Sequence, residues 1–146
     1  MVGHGHRLAG RSEVGIEDLR KERLILFERG GSIRRNTDQF FNKVGIEPSL
    51  ALESNDTSFI KLMVERGIGV SLLPAWAVRD EVAWGWLSKL RVEGHRLRRT
   101  VAVLSIARFQ PAATRAFLGF VRGRRAGLQQ MAEGPPRGDE PKPDHR

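Results

Sequence analysis

The side chains able to do chemistry in this chain are few and scattered. There are four histidines, His4, His6, His95 and His145, and no cysteine. His4 and His6 flank Gly5 and bring two imidazoles close together. No carboxylate or thiol accompanies them, so they read as surface residues and no metal site is assigned. Gly30-Gly31-Ser32-Ile33-Arg34 begins like a nucleophile elbow, but its closing glycine is missing and no histidine follows at a useful place. Ser32 is read instead as a helix N-cap. Gly67-Ile68-Gly69 is a fragment of a dinucleotide fingerprint that lacks the third glycine and leads into a strand. Trp84 and Trp86 offer rings for stacking, and a hydrophobic turn over a sheet edge is the preferred reading. With no acid–base or nucleophile pair visible, the chain is read as a non-enzyme without a catalytic residue or cofactor.

What the residues do support is a type of binding site. Two helices are predicted to begin near Ser32–Ile33 and near Asn55–Thr57. Free backbone N–H groups at such starts favour a carboxylate or phosphate. Arg29, Arg34 and Arg35 lie beside the first. Taken singly, these are ordinary exposed arginines and ordinary caps; taken together, the region reads as a small-anion site.

The elements that must position this site follow from hydrophobic spacing. Ile16–Arg23 opens with acids and closes with bases, as suits a short helix. Leu24-Ile25-Leu26-Phe27 reads as a strand buried on both faces. After the turn Glu28–Ser32, apolar positions Ile33, Phe40, Phe41 and Val44 predict a helix stopped by Gly45. Leu50-Ala51-Leu52 is a second strand. Ser54-Asn55-Asp56 carries cap chemistry for a helix with the stripe Phe59, Ile60, Met63 and Val64. Gly67 stops it, and Ile68–Leu73 is a third strand ended by Pro74. Strand–helix–strand–helix–strand at this spacing predicts parallel strands in an α/β fold. Beyond Pro74, Leu87–Val92 and Thr100–Ile106 are predicted strands, and Pro111 opens a helix with an apolar face of Ala113, Phe117, Phe120 and Val121. The last stretch, rich in proline, is read as a disordered tail.

Charge narrows the classes further. The 146 residues carry a net charge of +8. Residues 1–88 hold twelve Lys/Arg and twelve Asp/Glu, whereas residues 89–125 hold ten Lys/Arg against Glu93 alone. This stripe allows a nucleic-acid-binding module as an alternative. No aromatic residues interleave with its arginines as a single-strand platform requires, and an Arg-rich solvated face is the plainer reading. No apolar run reaches the ~20 residues needed to span a bilayer. No secretory leader is read at the N-terminus, so the cytoplasm is expected and no membrane partner.

The order of these features resembles the effector-binding domain of LysR-type bacterial transcription regulators. His6-Arg7-Leu8-Ala9 stands where that family often has His-Pro-Leu-Ala. Glu17-Asp18-Leu19 followed by Leu24–Phe27 is similar to its helix-then-strand opening. Phe40-Phe41 with Gly45-Ile46-Glu47-Pro48, and then Glu53-Ser54, continue the likeness. The fullest match is Val64-Glu65-Arg66-Gly67-Ile68-Gly69-Val70-Ser71-Leu72-Leu73-Pro74, followed by Gly85-Trp86-Leu87, Arg98-Arg99 and the helix from Pro111. Together these cover roughly residues 6–122.

The resemblance implies a fold like the type 2 periplasmic binding proteins, with the second lobe and the C-terminal part of the first. Residues 1–9 would be a crossover remnant, 10–75 the second lobe, 76–126 the return to the first lobe with its C-terminal helix, and 127–146 the tail. It implies a small anionic effector held between lobes, with Phe27, Arg29, Gly31, Ser32, Asn55, Asp56 and Thr57 on the second-lobe side. It also implies association with copies of itself or with full-length regulator subunits, and contact with DNA only through a helix-turn-helix domain that these residues do not contain. A solute-binding protein of the same fold is the other alternative.

Overall fold

The computed structural model describes residues 1–97, 102–106, 108 and 110–127. The chain divides into two compact units, residues 1–101 and 102–146.

The first unit is built on strand β3 (Arg23–Leu26). Leu24, Ile25 and Leu26 are all buried, as a continuous apolar run requires when both faces of a strand are covered. Side chains alternate across a strand, and this alternation separates two clusters. Leu24 and Leu26 pack with Phe40, Phe41 and Ile46. Ile25 packs with Ile60, Val64, Val78 and Leu87 on the other face. The first face is covered by helix α2 (Ser32–Val44), the second by helix α3 (Thr57–Glu65). Strand β4 (Ser49–Glu53) lies parallel to β3, with Leu26 opposite Glu53. Parallel neighbours need a crossover, and α2 supplies it. Gly45 ends α2 in the left-handed region at φ 66°, which favours glycine.

The third expected strand is reduced to a single parallel bridge between Leu24 and Val70. Ile25 N donates to Val70 O (2.8 Å) and Val70 N to Arg23 O (2.9 Å). The ladder then stops because the Ser71 hydroxyl, not the next backbone N–H, donates to the Ile25 carbonyl (2.7 Å). On its other side Ser71 exchanges bonds with Met1: the terminal amine donates to Ser71 O (2.7 Å) and Ser71 N donates to Met1 O (3.1 Å). Gly69 sits so tightly against β3 that a Cβ there would lie 2.5 Å from the Arg23 carbonyl oxygen.

Strand β1 (Val2–Gly3) pairs antiparallel with β5 (Leu87–Ser88), and β2 (Glu13–Val14) pairs parallel with β6 (Arg91–Val92). The continuous strand expected over Leu87–Val92 is therefore two short pieces, each drawn to a different partner. Short helix α1 (Ile16–Arg20) precedes β3, and a 3-10 turn (Ala75–Val78) leads into α4 (Arg79–Ala83). The Trp84 and Trp86 rings meet in a tilted contact, 4.7 Å between centroids, and remain exposed.

In the second unit, the strand expected over Thr100–Ile106 is not formed across described residues 102–106. A strand needs a hydrogen-bonded neighbour, and residues 102–106 pair with none among the described residues. Leu104 is 91% and Ile106 78% exposed. Helix α5 (Ala112–Gly123) starts after Pro111 as expected. Its Phe117 and Phe120 are exposed, with the Arg124 guanidinium 4.7 Å over the Phe120 ring. Arg98, Arg99, Thr100, Val101 and the expected tail from residue 128 onwards lie outside the described residues. No described helix is long and apolar enough to cross a membrane.

Candidate ligand site at the ends of the parallel strands

Because β3 and β4 run parallel, their C-terminal ends lie side by side, and so do the loops that leave them. One loop carries Phe27 to Gly31 into α2; the other carries Ser54 to Asp56 into α3. All seven predicted site residues, Phe27, Arg29, Gly31, Ser32, Asn55, Asp56 and Thr57, stand on these two loops or at the first residue of the following helix. A direct bridge joins the loops, with Asn55 Nδ2 donating to Glu28 Oε2 at 2.6 Å. Backbone closes the same seam, with Ser54 N donating to Leu26 O at 3.1 Å.

The two helix starts are not equivalent. Ser32 was expected to cap α2, but the cap position is Gly31, and no side chain caps the helix. Ser32 is already helical, so its hydroxyl is displaced from the cap geometry. No acidic residue sits in that first turn either. The N–H groups and the positive end of the α2 dipole are therefore left to solvent or a ligand. In α3 the opposite holds. The Asp56 carboxylate accepts from Ser58 N (2.8 Å) and Phe59 N (3.2 Å), while Ser54 Oγ accepts from Asp56 N (3.1 Å). That helix supplies its own anion.

The three arginines also divide. Arg29 is exposed, and Arg35 donates to the Gly30 carbonyl at 2.7 Å. Arg34 is not a surface cation: its side chain is 5% exposed. Its guanidinium donates to Phe27 O (2.6 Å), to Asp38 Oδ1 (2.7 Å) and to Glu53. Burial acts to lower its proton affinity, but the Glu53 and Asp38 carboxylates outweigh burial and hold it above its ordinary value. The site is thus charge-balanced rather than basic, with Glu28, Asp38 and Glu53 set against the arginines. Sequence reasoning missed Arg34 as a buried hub. The available signal was its spacing, four residues before Asp38 and on the same helix face as buried Thr37 and Phe41.

Beside α2 lies a hollow of about 300 Å³ lined by Arg29, Arg34, Asp38, Phe41, Asn42 and Pro48. Arg29 is its one predicted site residue. A second hollow, about 470 Å³, lies between Gly3–Arg7 and Glu65–Gly67 and contains none of them. The His6 ring is engaged on both nitrogens: Nε2 lies 3.2 Å from Glu22 Oε2, and Nδ1 accepts from Leu8 N at 3.2 Å. No group of three or more metal-ligating side chains occurs among the described residues.

Comparison with known proteins fits this geometry. The LysR substrate binding domain family matches residues 1–126. The transcriptional dual regulator GltC of Bacillus subtilis is 30% identical over 104 residues, 71% of this chain and 34% of that protein. The uncharacterized HTH-type transcriptional regulator YybE of the same organism is 27% identical over 82% of this chain and 40% of its own length. The chain thus spans well under half of these relatives. Among solved structures, the CcmR regulatory domain of Synechocystis PCC6803 in complex with 2-PG superposes with a TM-score of 0.72 at 24% identity, covering 84% of this chain and 59% of that one. The effector binding domain of QuiR in complex with shikimate gives 0.67 at 18% identity, over 88% and 59% of the two chains. These likenesses show the fold, which is the type 2 periplasmic-binding-protein kind expected. The curated relatives are transcription regulators and not enzymes. With the family matched over nearly its whole described length, the chain belongs to the LysR substrate-binding domain family.

Proposed function

We propose that this chain is the sensing module of a LysR-type transcription regulator and takes a small anionic metabolite at the C-terminal ends of β3 and β4. The observation that carries this reading is the uncapped start of α2, set on the same seam as the loop of Asn55. Open parallel sheets bind ligands at this edge, and a helix start without its own carboxylate favours an anion there. Phe27, Arg29, Gly31, Ser32, Asn55, Asp56 and Thr57 form the site, with Asp56 shaping the α3 loop rather than receiving the anion. Support comes from the fold neighbours solved with 2-PG and with shikimate. Residues 10–75 belong to the second lobe in this reading, and residues 76–126, with β5, β6 and α5, return to the first. In the intact cytoplasmic regulator, a helix-turn-helix domain would contact DNA, and ligand would shift the arrangement of its subunits.

The test is calorimetric titration with 2-PG, shikimate and inorganic phosphate, against the chain as it stands and its Ser32→Glu variant. A carboxylate in the first turn stabilises the helix but repels an anion, so affinity should drop roughly tenfold or more while the melting temperature holds or rises. Binding of none of the three probes, or equal binding by the variant, would sink the anion site at α2.

A further inference from the structure

We infer that Arg34 is the positioning residue of this site: one guanidinium holds both loops that carry the predicted ligand contacts. The inference rests on the site reading above for its functional meaning, but its geometry is independent of any ligand. Nη1 donates to the carbonyl of Phe27, where β3 gives way to the first loop, at 2.6 Å. The same nitrogen donates to Glu53, the last residue of β4, immediately before Ser54-Asn55-Asp56. Nε is tied back to Asp38 one turn further along α2 at 2.7 Å. The planar guanidinium has donors in a fixed fork and remains charged, so it clamps a carbonyl and a carboxylate together at one spacing.

The arrangement also explains why a charged residue occupies the buried face of α2. Thr37, Phe40 and Phe41 fill that face, and Arg34 is the fourth buried residue on it. An apolar side chain would fill the space but leave the Phe27 carbonyl without that donor and Glu53 without a counter-charge. A lysine would keep the charge and reach one partner, since its ammonium is a point donor on a flexible stem. The clamp therefore sets how far apart the two loops stand, and with it the spacing between Arg29 and Ser32 on one side and Asn55 on the other.

The experiment is amide hydrogen exchange by NMR on the chain and its Arg34→Lys, Arg34→Met and Asp38→Asn variants. Reporters of the clamped loops are the amide of Ser54, which bonds Leu26 O, and the amide of Arg35 in the first turn of α2, which bonds Gly31 O of the first loop. Internal controls in the same unit are Ile25 and Val70, whose amides bridge to Val70 O and Arg23 O. Arg34→Lys should accelerate exchange at Ser54 and Arg35 by roughly tenfold or more relative to the controls. Asp38→Asn, which removes the charge but not the acceptor from a contact touching neither loop, should leave the ratio within about twofold. Arg34→Met should exceed Arg34→Lys; if it fails to fold, Arg34→Lys decides. The inference is overturned if the loop and control amides accelerate equally in Arg34→Lys, which is general loosening, or if Asp38→Asn reproduces the loop effect. Titration of the same variants with 2-PG and shikimate separates the two readings. A chain that binds neither probe but shows the selective exchange fails the site reading and keeps the clamp.

Discussion

In a chain produced with Met1 as its first residue, the terminal amine offers a quantitative check on the packing of the first unit. It is buried and donates to Ser71 O at 2.7 Å, with no carboxylate among its bonded partners. Burial disfavours the ammonium and lowers its pKa from the ordinary 8.0 to about 6. In the unfolded chain the amine returns to its ordinary value, so between pH 6 and 8 the unfolded state binds more protons than the folded one. Stability must then rise with pH across that window. Above it the amine is neutral in both states, and burial of charge costs nothing. Below it the amine is charged in both, and the full penalty applies. Each tenfold change in proton affinity is worth about 1.4 kcal/mol, so the whole penalty is on the order of 3 kcal/mol, and about half of it is felt at pH 7. Urea unfolding followed by tryptophan fluorescence from pH 5.5 to 9 measures it. The reference is the same chain acetylated at Met1, which has the same histidines but no titrating amine. Only the difference in slope between the two chains is compared, so any constant effect of the acetyl group cancels. Equal slopes would refute the buried amine and, with it, the seating of Met1 against Ser71.

Other expectations concern single contacts. Gly69→Ala places a Cβ 2.5 Å from the Arg23 carbonyl and 3.2 Å from Ile25 Cγ1; the backbone must shift, and a loss of ~1–3 kcal/mol in urea stability is expected. Asp56→Ala removes both acceptor contacts at the start of α3 and should cost about 1 kcal/mol, whereas Asp56→Asn should recover most of it. Val103, Leu104, Ile106, Phe117 and Phe120 leave apolar side chains exposed in the second unit. The isolated chain is therefore expected to associate, and sedimentation velocity over a hundredfold concentration range should show the mass rising. A constant monomer mass would count against an interface there.

The α/β class was legible in the chain because its cues are local. Leu24–Leu26 is a run too apolar for a one-sided strand. Phe40, Phe41 and Val44 recur at helical spacing, and Gly45 is a stop that glycine fills more easily than other residues. The order of strands and helices then implied parallel pairing, and the order of motifs implied the family. The candidate site was legible only as a place where two loops meet: loops that follow neighbouring parallel strands lie side by side, so Phe27–Ser32 and Asn55–Thr57 could be joined without knowing any distance.

What the sequence could not decide were outcomes of competition between partners far apart in the chain. Ser32 and Asp56 looked like equal caps, but only the folded backbone puts Asp56 at the cap position and moves Ser32 one residue inside its helix. Ile68–Leu73 has every mark of a strand, yet the hydroxyl of Ser71 takes the Ile25 carbonyl and ends the ladder after one bridge. Leu87–Val92 splits because β1 and β2 claim its two ends. Arg34 reads as one of three surface arginines; Asp38 is its neighbour on the helix, and tertiary structure alone adds Phe27 and Glu53. Hydrophobic periodicity reports which face is buried, whereas a buried charge depends on partners that periodicity does not register.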